Sequence, residues 1–385
     1  MGFSAKAFRL DSQQLTAKIK DFAEQLGFQQ CGIAPTNIQS HVERYKTWVS
    51  QNYFGDMQYM KDRVSLRESP EELMPNTLSV ISVRLNYVPK PAKFAHVLAD
   101  PNQAIVSRYA LGRDYHKLMR KKLAELGKKI QSLGIAINYR AFVDSAPVLE
   151  RGYAEQAGLG WIGKNTMLLN KDAGSFFFLG ELFTDLPLQP DRTTENLCGS
   201  CNSCIRMCPT GAIIDEYTLD ARKCISYLTI EHFGSIPESL RPLMGNRIYG
   251  CDDCQLVCPF NRQASATDQQ DFFPRQQLDR AGLLELFAWT EKEFLDRLAG
   301  SPIRRIGYER WLRNIAIALG NAPVSPSIIA ALEDKHPLTT SALVKEHIEW
   351  ALKQQRSKLS SSNDVSLPNK LIRTTEKIVG HLDQD

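Results

Sequence analysis

Eight of the nine cysteines in the chain fall between Cys198 and Cys258. They form the runs Cys198-x-x-Cys201-x-x-Cys204-x-x-x-Cys208-Pro209 and Cys251-x-x-Cys254-x-x-x-Cys258-Pro259, with Cys224 between them. Thiolates spaced by two residues can turn inward around one cubane, while the cysteine before proline is redirected to ligate the other. The second run is one member short, because Ile248 stands three residues before Cys251, and Cys224 is the replacement. The spacing therefore assigns Cys198, Cys201, Cys204 and Cys258 to one [4Fe-4S] cluster, and Cys208, Cys224, Cys251 and Cys254 to a second. Zinc could recruit some of these residues in closed sets of four, but it does not account for two runs that end in Cys-Pro. Disulfides are disfavoured because the cysteines are concentrated in one segment and nothing resembles a secretory signal. Cys31, outside the segment, reads as a small buried hydrophobe. The chemistry expected is electron transfer.

The chain around these cysteines is far larger than a ferredoxin. Its 385 residues, 43% hydrophobic and 23% charged, leave room for two or three domains. The cluster segment is about a sixth of the length, so a large region before it and a smaller one after it are available to use the electrons. A formal charge of +4 is too modest to establish nucleic-acid binding. No hydrophobic leader or twin arginine opens the sequence, and the charge-poor stretch from Asn314 to Leu332 is broken by Gly320, Pro323 and Pro326. A reduced cytoplasm is the expected location.

Residues from about 10 to 190 read as mixed α and β. Leu15 to Leu26 has helical spacing, Cys31-Gly32-Ile33-Ala34 is a short apolar run, and Ser79 to Val83 reads as a buried strand. Asp114 to Leu133 forms a basic amphipathic helix carrying Lys117, Arg120, Lys121, Lys122, Lys128 and Lys129, either a solvated face or a phosphate contact. Ala264 to Gln270 is polar and reads as a linker. Helical periodicity returns at Leu312, Ile315, Ala316 and Leu319, and at Val344, Ile348, Ala351 and Leu352, as in a fragment of an α-solenoid. Beyond Leu359 the sequence is polar and expected to be loose. Arg304, Arg305, Arg310 and Arg313 are interleaved with Tyr308 and Trp311. Such a set can grip phosphates and stack bases; alternatively Trp311 is core and the arginines form surface ion pairs.

Longer motifs carry a resemblance. Ser107-Arg108-Tyr109-Ala110-Leu111-Gly112-Arg113-Asp114-Tyr115-His116, Val143 to Arg151, Ala157 to Asn165, Cys224 to Glu231 and Gly250 to Pro259 resemble epoxyqueuosine reductase, over about Leu15 to Lys353. The resemblance implies an α+β multidomain fold. Its parts would be a nitroreductase-like cobalamin-binding catalytic domain over residues 1–185, a ferredoxin-like two-cluster domain over 186–265, a HEAT-like helical domain over 275–358, and a flexible polar tail over 359–385. It also implies reduction of the epoxide of epoxyqueuosine, at the tRNA wobble position, to the alkene of queuosine. The partners implied are tRNA, gripped by Arg304, Arg305, Tyr308, Arg310 and Arg313, and a low-potential electron donor, with the enzyme a monomer.

Asp144 is the implied proton donor, because removing the epoxide oxygen as water needs two electrons and two protons. An ordinary aspartate is ionised at neutral pH, so burial beside the corrin is expected to raise its pKa. The competing reading of Asp144 is a cap for the helix after Pro147. Asp114-Tyr115-His116 begins a cobalamin-binding motif, but Met119 replaces its glycine, so His116 is expected to be structural and cobalamin to bind base-off. The implied corrin-lining residues are Arg63, Asp144, Lys164, Asn165, Leu168, Leu179, Ser226, Tyr227, Leu228, Thr229, Ile230, Glu231, Asp252 and Gln255. Cys208, Cys224, Cys251 and Cys254 would then ligate the cluster nearer cobalt. Some relatives carry a cysteine before Gly112, whereas Ser107 to Leu111 has none. A reductive dehalogenase and a non-catalytic electron-transfer module are the alternatives; cobalamin and tRNA binding discriminate between them.

Overall fold

The computed structural model describes residues 11–360 and 369–384. Helix α1 (Ser12–Gln25) starts at a capping box, in which the Asp11 carboxylate accepts the Gln14 N–H and the Gln14 side chain accepts the Asp11 N–H. Strand β1 (Gln30–Ala34) follows. With β2 (Ser79–Asn86), β3 (Tyr139–Phe142) and β4 (Phe177–Thr184) it forms a sheet of order β1-β2-β4-β3 with every neighbouring pair antiparallel. All eight positions of β2 are buried, so this sheet is covered on both faces. Ile81, Val83, Phe178 and Leu182 join a core with α1 and α3 (Tyr115–Gln131). The alternate positions Val80, Phe177 and Phe183 join a second core with α4 (Glu150–Gln156). Helix α2 (Phe94–Ala99) lies in the connection after β2.

The cluster segment is built from short elements, among which α5 (Ile225–Ile230) and the stretch over residues 241–249 meet the C-terminal helices. Those are α6 (Gly307–Asn321), α7 (Pro326–Leu338) and α8 (Ala342–Ser360). Every residue of α6 from Trp311 to Gly320 is buried. The single apolar face expected from sequence is thus one side of a helix surrounded by neighbours, including α5 and α8, with Arg313 and Asn314 supplying hydrogen bonds inside the core.

Two expectations are corrected. The polar tail contains helix α9 (Asn369–Asp383), whose Leu371, Ile378, Val379 and Leu382 are buried in the core of the first region. Its Asp383 carboxylate accepts the Phe94 and Ala95 N–H groups at 2.7 and 2.9 Å, capping the start of α2. A polar-looking sequence conceals this helix because only one face is apolar; the remainder of the expected tail, residues 361–368 and Asp385, lies outside the described residues. The supposed linker is also anchored: Ala264 and Thr267 are buried, and the Thr267 N–H donates to the Val88 carbonyl at 2.8 Å. Among the described residues no helix is long and apolar enough to cross a membrane.

Candidate active site

Asp144 stands at the end of β3, with φ at +49°, in the left-handed region that aspartate tolerates better than most residues. It does not cap α4, whose N-cap is Leu149 without a side-chain bond. Its Oδ2 accepts the Tyr115 hydroxyl at 2.6 Å and lies 3.0 Å from His116 Nε2. The other His116 ring nitrogen, Nδ1, lies 2.6 Å from Asp114 Oδ1. With both nitrogens engaged, His116 has none left for a metal. The Asp144 side chain is 56% exposed, yet protein encloses it enough for burial to be the largest single influence on its proton.

The electrostatics reverse one expectation. Burial favours a protonated Asp144, but the hydrogen bonds from His116 and Tyr115 and the charges of His116 and Arg305 outweigh it and hold the carboxyl below its usual range. His116 moves the other way: burial opposes its charge, but Asp114 and Asp144 together push it up to about 9. At neutral pH the proton of this pair therefore rests on the imidazole.

Behind Asp144 is an acid pair, the half-buried Glu150 and the fully buried Glu181. The Glu150 Oε1 on α4 accepts the Asp144 N–H at 2.5 Å. Glu181 on β4 is fully buried, accepts the Ser82 hydroxyl at 3.2 Å, and is pushed well above the carboxylate range by burial and by Glu150. Burial and the charge of Asp144 raise Glu150 to about 7. Sequence reasoning missed both glutamates; only the buried face of β4 marks Glu181 as unusual.

Residues from all three regions meet over Asp144. Arg305, just before α6, pairs with Glu231, just after α5, and its charge acts on Asp144, Tyr109 and Tyr249. Tyr59 is raised to about 12 by burial and by the charges of Glu231 and Asp144, with Arg305 opposing. Of the expected corrin-lining set, Arg63, Ser226 and Glu231 retain exposure. Leu168 and Leu179 sit in the core beside Ala146 and Leu149, which follow Asp144. The remaining side chains are turned to internal partners. Tyr227 accepts the Asp56 N–H, Thr229 accepts the Gly250 N–H, and Leu228 and Ile230 are core. Asp252 accepts from the Ser107 hydroxyl and the Arg108 N–H, and Gln255 donates to the Ser175 carbonyl. Lys164 donates to the Gly199 carbonyl and Glu216, and Asn165 to the Cys254 carbonyl; these two brace the cluster segment.

The arginine set divides. Arg304 and Arg305 are exposed, but Arg313 is fully buried and donates to the carbonyls of Leu228, His232 and Gly234. Arg310 donates to the Ile230 and Ile306 carbonyls, and the Tyr308 hydroxyl to the Trp289 carbonyl. For Arg313 a tRNA contact is excluded by burial, and the guanidinium of Arg310 is committed to carbonyls.

The cysteines gather as two sets. Cys198, Cys201, Cys204 and Cys258 line one small cavity together with Lys164 and Asn165. Cys224 and Cys254 lie close enough to Cys208 to act on one another's protons, as does Cys251 with Cys224. Burial raises Cys204 to about 11 and Cys258 to about 12, and Cys251 and Cys254 well above the usual thiol range. Such thiols need bound cations to exist as thiolates, and iron supplies them. Among the described residues no three candidate ligands are grouped to hold a single metal ion; cubane ligands stand at separate corners. The Trp161 Nε1–H points at Cys198 Sγ, 3.5 Å away, and the Ala212 N–H at Cys208 Sγ, 3.3 Å away. Cys31 is only partly accessible and burial raises it to about 12, as suits an inert thiol. A larger cavity of about 640 Å³, bordered by Cys208, Gly320, Lys358 and Lys370, lies apart from Asp144.

The family described as epoxyqueuosine reductase QueG, DUF1730, matches residues 67–145, and the 4Fe-4S double cluster binding domain matches residues 197–261. Epoxyqueuosine reductase of Salmonella typhimurium is 54% identical over 374 residues, 96% of each chain. That of Pseudomonas aeruginosa is 55% identical over 345 residues, 89% of this chain and 95% of its own. The chain belongs to the epoxyqueuosine reductase family. It is thus an oxidoreductase with a double iron-sulfur cluster domain. Among solved structures, an epoxyqueuosine reductase with an epoxyqueuosine-modified tRNA-Tyr stem loop aligns at a TM-score of 0.81 and 27% identity, covering 97% of this chain and all of the other. A Bacillus subtilis epoxyqueuosine reductase, with its catalytic aspartate loop swung out of the active site, aligns at 0.81 and 26% identity, with the same coverage.

Proposed function

We propose that the protein reduces the epoxide of epoxyqueuosine in tRNA to the alkene of queuosine, with Asp144 delivering a proton to the departing oxygen. The observation that carries this reading is the convergence of Asp144, His116, Glu231 and Arg305, drawn from all three regions of the chain, in a family whose members share its full length. A substrate of tRNA is supported by the stem loop in the relative's structure and by exposed Arg304 and Arg305, and a tRNA substrate implies a cytoplasmic reaction. The active form in this reading is a monomer. An external low-potential donor must supply two electrons.

The two thiol sets are assigned as cluster ligands: Cys198, Cys201, Cys204 and Cys258 for one, and Cys208, Cys224, Cys251 and Cys254 for the other. Because both His116 nitrogens are bonded to carboxylates, His116 would stay with the acid chain and a cobalamin would be held by other residues. Arg63, Ser226, Glu231 and the backbone of α5 would hold it, within the nitroreductase-like first domain, with the HEAT-like helices carrying the RNA contacts. When bound, cobalamin supplies low-potential electron chemistry at cobalt. The protein holds the proton. His116 carries it, Asp144 Oδ2 accepts its hydrogen bond, and Tyr115 fixes the same oxygen, so Asp144 hands on a proton drawn from His116 rather than one held by an elevated pKa of its own.

Anaerobic incubation of cluster-reconstituted protein with cobalamin, a low-potential reductant and epoxyqueuosine-containing tRNA, followed by nucleoside mass spectrometry, tests the reaction. Cobalamin-dependent queuosine formation is expected. Asp144→Ala is expected to keep the cluster and cobalamin spectra and to lower turnover by about 10²-fold or more; near-normal turnover would remove Asp144 as donor.

A further inference from the structure

The loop after α5 displays a feature that the reaction chemistry does not use. Phe233 is 64% exposed, more than any other aromatic side chain among the exposed large hydrophobics. A loose loop would fold such a ring inward to remove it from water. This loop cannot, because its neighbours pin it. Arg313, fully buried, donates to the carbonyls on both sides of Phe233, those of His232 and Gly234, at 2.8 Å each. His232 Nδ1 lies 2.7 Å from the Asp56 carboxylate and its Nε2 lies 2.9 Å from the Ser235 carbonyl. The Ser235 hydroxyl donates to Glu346 at 2.7 Å, and the Ile236 carbonyl accepts from Arg241. The ring is therefore held out in water by a rigid pedestal.

One cation lies directly against it. The Arg310 guanidinium lies 4.3 Å from the ring centroid, a cation–π contact that fixes one face. Two residues upstream, Glu231 pairs with exposed Arg305, whose charge also reaches Asp144. An exposed ring with one face held by a guanidinium, and exposed Arg304 and Arg305, of which Arg305 acts on the Asp144 site, match a ligand with a flat face and an anionic backbone, which describes an unpaired nucleotide. A protein partner would match the ring but would need acidic groups for the arginines.

We propose that Phe233 is a stacking platform for an unpaired base of the substrate RNA, next to the modified nucleotide that reaches Asp144. The inference rests on the reading of tRNA as substrate. The pedestal prepays the ordering of the ring, and the exposed Arg304 and Arg305 steer the phosphate beside the stacked base.

The test uses holoenzyme and an RNA stem loop carrying epoxyqueuosine, with 2-aminopurine at loop positions flanking it. Phe233→Ala is expected to weaken binding about tenfold and to raise KM with little change in kcat. The salt dependence of binding should stay at the wild-type slope, because no charge is removed. Phe233→Trp should keep wild-type affinity, and 2-aminopurine emission should be quenched by the wild type and not by Phe233→Ala. Binding by Phe233→Ala within twofold of wild type, or a Phe233→Trp as weak as Phe233→Ala, would overturn the platform. A wild type that neither binds nor converts the stem loop would instead overturn the substrate reading beneath it, and the inference with it.

Discussion

Asp144 is one carboxyl in a chain of ionisable groups that runs from Asp114 through His116 to Glu150 and Glu181, and the position of the proton in that chain follows from which groups touch. His116 bridges two carboxylates and is raised to about 9. A folded-state pKa above the unfolded value contributes stability that is complete below pH 6.5 and is lost as pH rises through about 9. His116→Gln should therefore flatten the fall in thermal stability between those values, and should lower turnover about tenfold or more if Asp144 draws its proton from the imidazole. Glu150 is raised to about 7, so the stability it contributes is complete below about pH 4.5 and declines as pH climbs through 7. Glu150→Gln keeps an oxygen for the Asp144 N–H but cannot ionise. Its unfolding temperature should fall less than that of the wild type across that window, and a parallel fall in the two proteins would show that Glu150 does not titrate there.

At the scale of elements, α6 and α5 explain why half of the arginine cluster serves the fold. The last carbonyls of any helix lack partners within it. In α5 those of Leu228, Thr229 and Ile230 receive donors from Arg313, Asn314 and Arg310 of α6, at 2.7, 2.9 and 2.9 Å. The arrangement fixes α5 against α6 and places Glu231 next to Arg305. Arg313→Met orphans several buried carbonyls, at about 1–3 kcal/mol each, so a loss of at least about 3 kcal/mol in chemical denaturation is expected. RNA affinity per folded molecule should fall as well, because the carbonyls on either side of Phe233 lose the donor that pins them. A second element-scale constraint is Gly112, where a Cβ would stand 2.3 Å from the Asp271 carbonyl oxygen. The segment after the clusters thus closes directly on the backbone that leads into α3.

The whole molecule is knitted by returns of the chain. Helix α9 comes back to the first region and caps α2 through Asp383, and the candidate active site takes Asp144, Glu231 and Arg305 from stretches far apart in sequence. Surface charge at this scale should act through the RNA backbone. Arg304→Glu with Arg305→Glu is expected to weaken tRNA binding and to reduce its salt dependence, at unchanged iron content, in a titration series at increasing salt; an unaltered slope would place the RNA elsewhere.

The cysteine runs were legible because cluster ligands come from local spacing, and a period of three or four residues is written directly in the sequence. The strand at Ser79 to Val83 and the helix from Asp114 were equally legible, since each declares itself by its own periodicity. The motif around Asp144 carried the family resemblance for the same reason. What the sequence could not state is which charges meet. The direction of the Asp144 pKa depends on His116, Tyr115 and Arg305, the burial of Arg313 depends on α5 lying against α6, and the apolar face of α9 acquires meaning only once a core receives it. Coulomb and desolvation energies depend on distance in space and on the surrounding medium, and both are decided only when the chain has closed on itself.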